Sequence, residues 1–307
     1  MGSGAWSRSS WDSYSSTNVK GVSDAGLFTT KTLVNELDPK GVTVRESRDS
    51  ADNPNSTALI VGIDQTGSMG SLARMMIREG CNTLATEIYD RKPISDPHIM
   101  FMGIGDAEMY EVAPLSVTQF EADIRIAEQL QKIYLEGRGG GNSSESYTFP
   151  WYFAAMHTSI DCFEKRGKKG YLFTAGDECV PPPIKAGLIE KYLGYRPEKD
   201  AFSAEELLMM VSRKYHVFHL MVEQGNYMMS HGVRVRDSWS KILGQNAIPL
   251  ADASKMSEVI VSIIQATEGA DVADVVASWD GTTGVVVSKA IKDLAANGTV
   301  AGGIVTF

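Results

Sequence analysis

Short apolar runs alternate with helix-like patterns from residue 57 onward. Four runs are dominated by β-branched and large apolar residues, which is typical of strands covered on both faces: TALIVGID (57–64), HIMFMGIGD (98–106), KGYLFTAGDE (169–178) and YHVFHLMVE (215–223). After the first run, Ile77, Cys81, Leu84 and Ile88 recur at steps of three and four, which predicts an amphipathic helix. Strands that alternate with helices predict a doubly wound α/β fold with helices on both faces of a mainly parallel sheet.

Two shorter runs complete a predicted sheet of six strands. YEVAPLSV (110–117) contains Pro114, which suits an edge strand, and we expect this one to be antiparallel; AIPL (247–250) is the sixth strand. KIYL, from Lys132, is also predicted to be the end of a strand, ahead of a glycine-rich loop. The predicted helices cover 118–132, 148–166, 203–213, 254–266 and roughly 286–296. Ser203 and Glu206 have the spacing of a capping box.

Composition and the pattern of apolar residues divide the chain into four parts. Residues 1–35 are rich in Ser and Gly and predict a flexible segment, although Trp6 and Trp11 could instead anchor it to the domain. Residues 36–56 are a polar lead-in. Residues 57–270 carry the α/β pattern, and 271–307 form a C-terminal extension.

Charge and cysteine usage narrow the class of protein. The chain has 38 acidic and 29 basic residues, a formal charge of −9, which argues against a nucleic-acid-binding surface. Cys81, Cys162 and Cys179 are widely spaced and predict reduced thiols. No apolar run is long enough to span a membrane, and no signal peptide is visible. These features predict a cytoplasmic protein without membrane contact.

Oxygen-bearing side chains follow almost every predicted strand. Asp64, Thr66 and Ser68 follow the first, Asp106 the second, Asn142–Glu145 lie in a glycine-rich loop, and Asp177 and Glu178 end a further strand. Ligands bind at the carboxyl ends of strands in doubly wound sheets. Oxygen ligands without His or Cys suit Mg²⁺, Mn²⁺ or Ca²⁺. The plainer interpretation is that Asp64, Thr66 or Ser68 only cap the turn and the following helix.

DQTGS (64–68), with an apolar strand before it and a helix after it, resembles the metal-ion-dependent adhesion site (MIDAS) of von Willebrand factor type A (vWA) domains. The wider context resembles a bacterial or phage branch. The resemblance implies that Thr66 and Ser68 bind the ion directly, and Asp64 directly or through water. Two positions depart from the family pattern. Asn142 stands where a threonine is usual, and TAGDE has Ala175 in place of the usual aspartate, with Asp177 two residues later. Asn142 and Asp177 complete the candidate metal site.

The resemblance implies a binding module in which the ion accepts a carboxylate from an Asp or Glu of a partner protein, such as an AAA+ ATPase, and no enzyme activity. An alternative starts from the same five residues. DQTGS also resembles the DKTGT motif of P-type ATPases in the haloacid dehalogenase-like superfamily, which implies a Mg²⁺-dependent phosphohydrolase with Asp64 as nucleophile. That chemistry needs a lysine, and Lys168 and Lys169 precede their strand rather than follow it.

Overall fold

One six-stranded sheet forms the centre of the molecule. The computed structural model describes residues 4–135 and 142–295. The strands are β1 Arg45–Ser47, β2 Thr57–Asp64, β3 Pro97–Ile104, β4 Leu115–Val117, β5 Thr158–Ile160, β6 Gly170–Gly176, β7 Ile184–Lys185, β8 Ala201–Phe202, β9 Tyr215–Val222 and β10 Ala247–Leu250. The central sheet has the order β10-β9-β6-β2-β3-β4, in which only the edge strand β4 is antiparallel. The predicted doubly wound α/β sheet is confirmed.

Helices cover both faces of this sheet. They are α1 Arg8–Asn18, α2 Asp24–Leu27, α3 Gly70–Met75, α4 Cys81–Arg91, α5 Arg125–Leu130, α6 Phe149–His157, α7 Asp161–Glu164, α8 Ala186–Leu193, α9 Ala204–Val211, α10 Asn226–Leu243, α11 Met256–Thr267, α12 Val272–Ala277 and α13 Gly281–Ala295. A π-helical turn, Met76–Gly80, joins α3 to α4. None of the described helices is both long and apolar enough to cross a membrane.

The alternation of side chains along β2 produces two separate cores. Leu59, Val61 and Ile63 face the core formed with α1, α3, α4, α5, α11 and α13. Ala58 and Ile60 face the core formed with α6, α8, α9 and α10. Asp64 continues the second set because successive side chains of a strand point to opposite faces. Its carboxylate therefore emerges on the α6 side of the sheet, at the carboxyl end of the strand.

Two predicted helices are shorter than expected. The prediction over 118–132 is wrong for its first part, because residues 118–121 pair with β3 through hydrogen bonds to Ile99 and Phe101, and only α5 is helical. The strand end predicted from Lys132 is also wrong for the described residues, since residues 131–133 form a turn. The helix predicted over 148–166 is interrupted, because Thr158–Ile160 pairs with β1 as β5.

The N-terminal segment packs on the domain. Trp6 and Trp11 are buried with their rings 5.9 Å apart, and they belong to the core that α4 and α5 line. This corrects the expectation of a flexible 1–35 segment for its described residues, because the two indoles supply the apolar surface that the Ser-rich remainder lacks. The predicted C-terminal helix is present as α13. Residues 296–307, which include the last residue of that prediction, lie outside the described part of the chain.

Candidate metal centre

The site lies where the order of the sheet reverses. From β2 the chain proceeds outward through β3 and β4, and from β6 it proceeds the other way through β9 and β10. The neighbouring strands β2 and β6 end at Asp64 and Gly176. A crevice is expected at this switch point, and an open cleft is found there. We call it the acidic cleft; its lining includes Thr66, Glu145, Asp177, Glu178, Tyr227 and His231.

Asp64 is fully buried, and both its carboxylate oxygens accept hydrogen bonds. Oδ1 accepts from the Thr66 amide at 2.9 Å and from the Thr66 hydroxyl at 2.7 Å. Oδ2 accepts from the Tyr147 hydroxyl at 2.6 Å. Burial raises the pKa of Asp64, the bonds from Tyr147 and Thr66 oppose this rise, and the nearby Asp177 adds to it. The Thr66 oxygen retains its lone pairs and can still coordinate a cation.

Tyr147 is a partner of Asp64 that sequence reasoning missed. Its ring packs edge-on against His219 and Trp239, at 5.0 and 5.8 Å between ring centroids. Gly176 makes this position possible, because a Cβ there would lie within 3.0 Å of the Tyr147 ring and hydroxyl. The glycine at the end of β6 thus leaves space for the phenol to reach β2. No periodicity or motif in SESYTFP (144–150) indicates this contact.

Glu145 and Glu178 bring two more carboxylates to the cleft. Glu145 is only 2% exposed, and within the described part of the chain one oxygen of each residue is buried without a hydrogen-bond donor. Burial raises the pKa of both groups, and repulsion from neighbouring carboxylates, Asp64 among them, raises it further, to about 8 for Glu178. No cation is among the main influences on these groups. The cleft therefore holds acidic groups that lack a described counter-charge.

Asp177 has a second role that the sequence did not indicate. Its Oδ2 accepts from the Tyr227 amide at 2.9 Å, and the Met228 amide also bonds to this carboxylate. Asp177 therefore caps the N-terminus of α10. Gly225 is required at this junction, since a Cβ there would overlap the Asp177 carboxylate. Burial raises the pKa of Asp177, and backbone hydrogen bonds from Tyr227, Met228 and its own amide oppose that rise.

Asn142 lies beside Asp106 rather than in the lining of the cleft. Its Nδ2 donates to Asp106 Oδ2 at 2.5 Å, while its Oδ1 is buried and accepts no hydrogen bond from the described residues. Asp106 Oδ1 accepts from the amides of Glu108 and Met109. Ser68 lies in the 3₁₀ turn Gly67–Met69, and its side chain is outside the described structure. The structure thus groups Asp64, Thr66 and Asp177, with Asn142 at the margin.

The donor set was tested against a divalent cation. Across residues 4–135 and 142–295, no three His, Cys, Asp or Glu side chains converge closely enough to hold an ion by themselves. An ion here would need the Thr66 hydroxyl and water or partner oxygens as well. The unpaired oxygens of Glu145, Glu178 and Asn142 are acceptors that only a cation, a proton or water could satisfy. Oxygen donors of this kind fit Mg²⁺, Mn²⁺ or Ca²⁺.

His216, His219 and the two lysines named from the sequence are not among the residues that line the cleft. His216 and His219 lie on opposite faces of β9, where His216 packs against Tyr171 and His219 stacks on Trp239. His219 Nδ1 is 2.8 Å from the Thr174 hydroxyl, and burial holds the pKa of its imidazole well below the usual value. Lys168 and Lys169 precede β6 and lie at the opposite edge of the sheet.

Comparisons with known proteins add little about function. No protein-family model matches the chain, and no curated protein matches it. Among solved structures, two crystal structures of the pilus adhesin SpaC from Lactobacillus rhamnosus GG, one in the open conformation, are similar to it. They are 10% and 11% identical, with TM-scores of 0.44 and 0.43, and each alignment covers 72% of this chain. The chain spans only 31–32% of the adhesin's length.

Proposed function

We propose that this protein is a metal-dependent protein-binding module of the vWA type. The observation that carries the proposal is the acidic cleft itself. Glu145 and Glu178 each have a buried oxygen without a donor, they line the same cleft as Thr66 and Asp177, and no described cation neutralises them. A divalent ion would replace the protons that these buried carboxyl groups retain.

The DQTGS turn would hold the ion. We assign Thr66 and Ser68 as direct ligands, Asp64 as a direct or water-bridged ligand, and Asn142 and Asp177 to the outer half of the site. When bound, the ion supplies a positive centre with an open position for a further oxygen. Tyr147 and Thr66 fix the Asp64 carboxylate before any ion arrives, since both donate hydrogen bonds to it in this structure.

The expected partner is a protein that presents an Asp or Glu, such as an AAA+ ATPase. Without an ion, Glu145 and Glu178 retain protons at neutral pH, and the cleft offers no positive centre to such a side chain. A bound ion supplies that centre, so partner binding should depend strictly on the metal. The three cysteines are free buried thiols, and we place the protein in the cytoplasm on that ground.

The phosphohydrolase alternative is less well supported by the geometry. A nucleophilic Asp64 would need an accessible oxygen, whereas its side chain is fully buried and both oxygens accept hydrogen bonds. The lysines considered for that mechanism lie at the other edge of the sheet. We therefore favour binding without catalysis.

Mn²⁺ provides a direct test of the ion and of its open position. Calorimetry should show Mn²⁺ and Mg²⁺ binding to the wild-type chain, and bound Mn²⁺ should enhance water-proton relaxation because water fills the open position. Acetate, as a probe of a partner carboxylate, should reduce this enhancement. Thr66→Ala and Ser68→Ala should bind Mn²⁺ at least tenfold more weakly.

Thr86→Ala, a change at a half-buried threonine of α4, is the matched control and should bind Mn²⁺ like the wild type. Undiminished binding in both site variants would refute the assignment. Turnover of an aryl phosphate by the wild type, with an acid-stable phosphoenzyme that is lost in Asp64→Asn, would favour the alternative.

A further inference from the structure

A second concave site lies at the opposite edge of the sheet. The acidic cleft is at the carboxyl ends of β2 and β6, whereas this pocket borders the residues that precede β2, β3 and β6. Eight residues of β2 separate the two edges, a distance of roughly 26 Å at about 3.3 Å per residue. The two sites are therefore separate in space.

Four cationic side chains line this pocket, which we call the basic pocket: Lys92, Arg166, Lys168 and Lys169. Three further residues, Asn55, Thr57 and Ser95, bring an amide and two hydroxyls to its wall. Such a concentration of cations is unexpected in a chain with nine more acidic than basic residues. Lysine ammonium groups and polar donors around one concavity match an anionic ligand.

The three lysines have no described counter-ion. Arg166 is held by Asp49, at 2.7 Å, and by the carbonyl of Ser56, at 2.6 Å. By contrast, Lys92, Lys168 and Lys169 form no ion pair with any residue in 4–135 or 142–295. The one acidic residue in the lining, Glu268, accepts a hydrogen bond from the Tyr171 hydroxyl at 2.5 Å and forms no ion pair with these lysines.

Lys169 lies against the protein body, whereas Lys92 and Lys168 are exposed. Lys169 is only half-exposed, and it lies near enough to His216 that its charge, after burial, lowers the pKa of that imidazole. Lys92 is the C-cap of α4 in a left-handed conformation (φ 51°), and this end of the helix borders the basic pocket. Like charges gathered in this way repel one another unless an anion joins them.

We propose that the basic pocket binds an oligophosphate group, such as a pyrophosphate or the phosphate chain of a nucleotide. Three unpaired lysines match a ligand with several negative charges better than a single carboxylate. Lysine binds phosphate as a flexible point charge, and the hydroxyls of Thr57 and Ser95 can donate to phosphate oxygens. Adenine recognition is not part of the proposal, because the pocket lining contains no aromatic residue.

Calorimetry in metal-free buffer with pyrophosphate and tripolyphosphate as probes tests this inference. Both should bind the wild-type chain, with affinity that falls as the salt concentration rises. The double variant Lys168→Ala/Lys169→Ala should bind at least tenfold more weakly. Its matched control is Lys20→Ala/Lys31→Ala, which removes the same charge from exposed lysines of the N-terminal segment and should bind within twofold of the wild type.

The possible results separate the sources of binding. An equal loss in both double variants would show a response to net charge only and would overturn the site, as would absence of binding at millimolar pyrophosphate. Inorganic phosphate binding as tightly as pyrophosphate would overturn the oligophosphate assignment. ATP binding no more tightly than tripolyphosphate supports recognition of the phosphate chain, whereas a tenfold preference for ATP would overturn it in favour of nucleoside recognition.

Discussion

The buried contact between Asp64 and Tyr147 connects the end of β2 to the loop before α6 through a single short hydrogen bond. A carboxylate without exposure to water is costly to ionise, and hydrogen bonds to the charged form offset part of that cost. Asp64 receives three such bonds, two from Thr66 and one from Tyr147. Only the bond from the Tyr147 hydroxyl comes from a distant part of the chain. It therefore makes the position of the Asp64 carboxylate depend on how Tyr147 packs against His219 and Trp239.

Tyr147→Phe should destabilise the protein more at alkaline than at acidic pH. The ring still packs on His219 and Trp239, but the ionised Asp64 loses a donor, and its pKa should rise further. We expect the unfolding free energy to fall by about 1–3 kcal/mol above neutral pH and by less near pH 5, where Asp64 is protonated. Urea denaturation at the two pH values measures this difference.

Tyr152→Phe provides the matched control for that experiment. Tyr152 is also buried, but its hydroxyl bonds to the Tyr195 hydroxyl at 2.7 Å and not to a carboxylate. Its loss should therefore be the same at both pH values. An equal pH dependence in the two variants would contradict the role given to Tyr147.

At the residue scale, sequence identified the groups that carry local signals and missed those that depend on distant packing. Asp64 and Thr66 were predicted because DQTGS places them in one turn after an apolar strand, and the structure joins them by hydrogen bonds. Tyr147 is 83 residues away from Asp64 in the chain. Tyr147 occupies space that is free only because residue 176 is a glycine. Neither the sequence around Tyr147 nor that around Gly176 indicates this contact.

At the scale of elements, the N-terminal turn of α10 forms one wall of the acidic cleft. Asn226, Tyr227, Ser230 and His231 from this turn line the cleft. His231 has non-helical angles (φ −130°, ψ 22°), so a kink separates the turn from the rest of α10. Asp177 is the cap that holds the turn in place. An ion that draws on Asp177 would act directly on this wall.

Asp177→Ala and Asp177→Asn should separate capping from charge. The alanine variant leaves the amides of Tyr227 and Met228 without their acceptor and should lose about 1 kcal/mol of stability. The asparagine variant keeps an acceptor oxygen and should lose a few tenths only. Hydrogen exchange should accelerate over 226–230 in the alanine variant, while both variants should weaken Mn²⁺ binding.

Ser203→Ala is the control for this effect, because Ser203 and Glu206 form the capping box of α9, away from the cleft. It should destabilise the protein by a similar amount but accelerate exchange only in α9. Unchanged exchange over 226–230 in Asp177→Ala would show that Asp177 does not hold the turn.

Sequence patterns predicted helices and strands well where local interactions decide the structure. They predicted them poorly where hydrogen bonds to a distant strand decide it. The capping box at Ser203 was correct because it is a local interaction. The apolar period over 118–132 favoured a helix, yet residues 118–121 add to the sheet edge because the backbone of β3 was available for hydrogen bonds. Likewise β5 interrupts a helical pattern because β1 lies beside it. Such partners cannot be found from local periodicity.

The N-terminal segment contributes to the core of the whole molecule. We expect Trp11→Ala to lower the unfolding free energy by about 3 kcal/mol, the usual cost of a large cavity in a core. Ser13→Ala, on the exposed side of the same helix, should change it by less than about 0.5 kcal/mol. Urea denaturation of the full chain measures both. A loss in Trp11→Ala as small as in the control would mean that the segment does not belong to the folded unit.

The acidic cleft should also dominate how stability depends on pH. Burial raises the pKa of Asp64, Glu145, Asp177 and Glu178 above their unfolded values, so the folded chain retains protons that the unfolded chain releases. Their contribution to stability is fully present below about pH 4 and is lost as pH rises through their folded pKa values, about 7 for Asp64, about 8 for Glu178 and about 10 for Glu145. Asp49 acts in the opposite sense: burial raises its pKa, but hydrogen bonds, chiefly from Arg166, outweigh this and hold it low. Its contribution disappears only in strong acid.

A bound divalent ion should replace those protons and flatten the decline. In metal-free buffer we expect the unfolding free energy to fall between about pH 5 and 8, by about 1.4 kcal/mol per pH unit for each proton retained by the folded chain. Saturating Mg²⁺ should remove most of this slope, because the ion favours the ionised carboxylates, and calorimetry in two buffers should detect proton release on binding. Glu178→Gln should reduce the metal-free slope. If Mg²⁺ leaves the slope unchanged while Glu178→Gln reduces it, the carboxylates are coupled as described but hold no ion, and the proposed binding function fails.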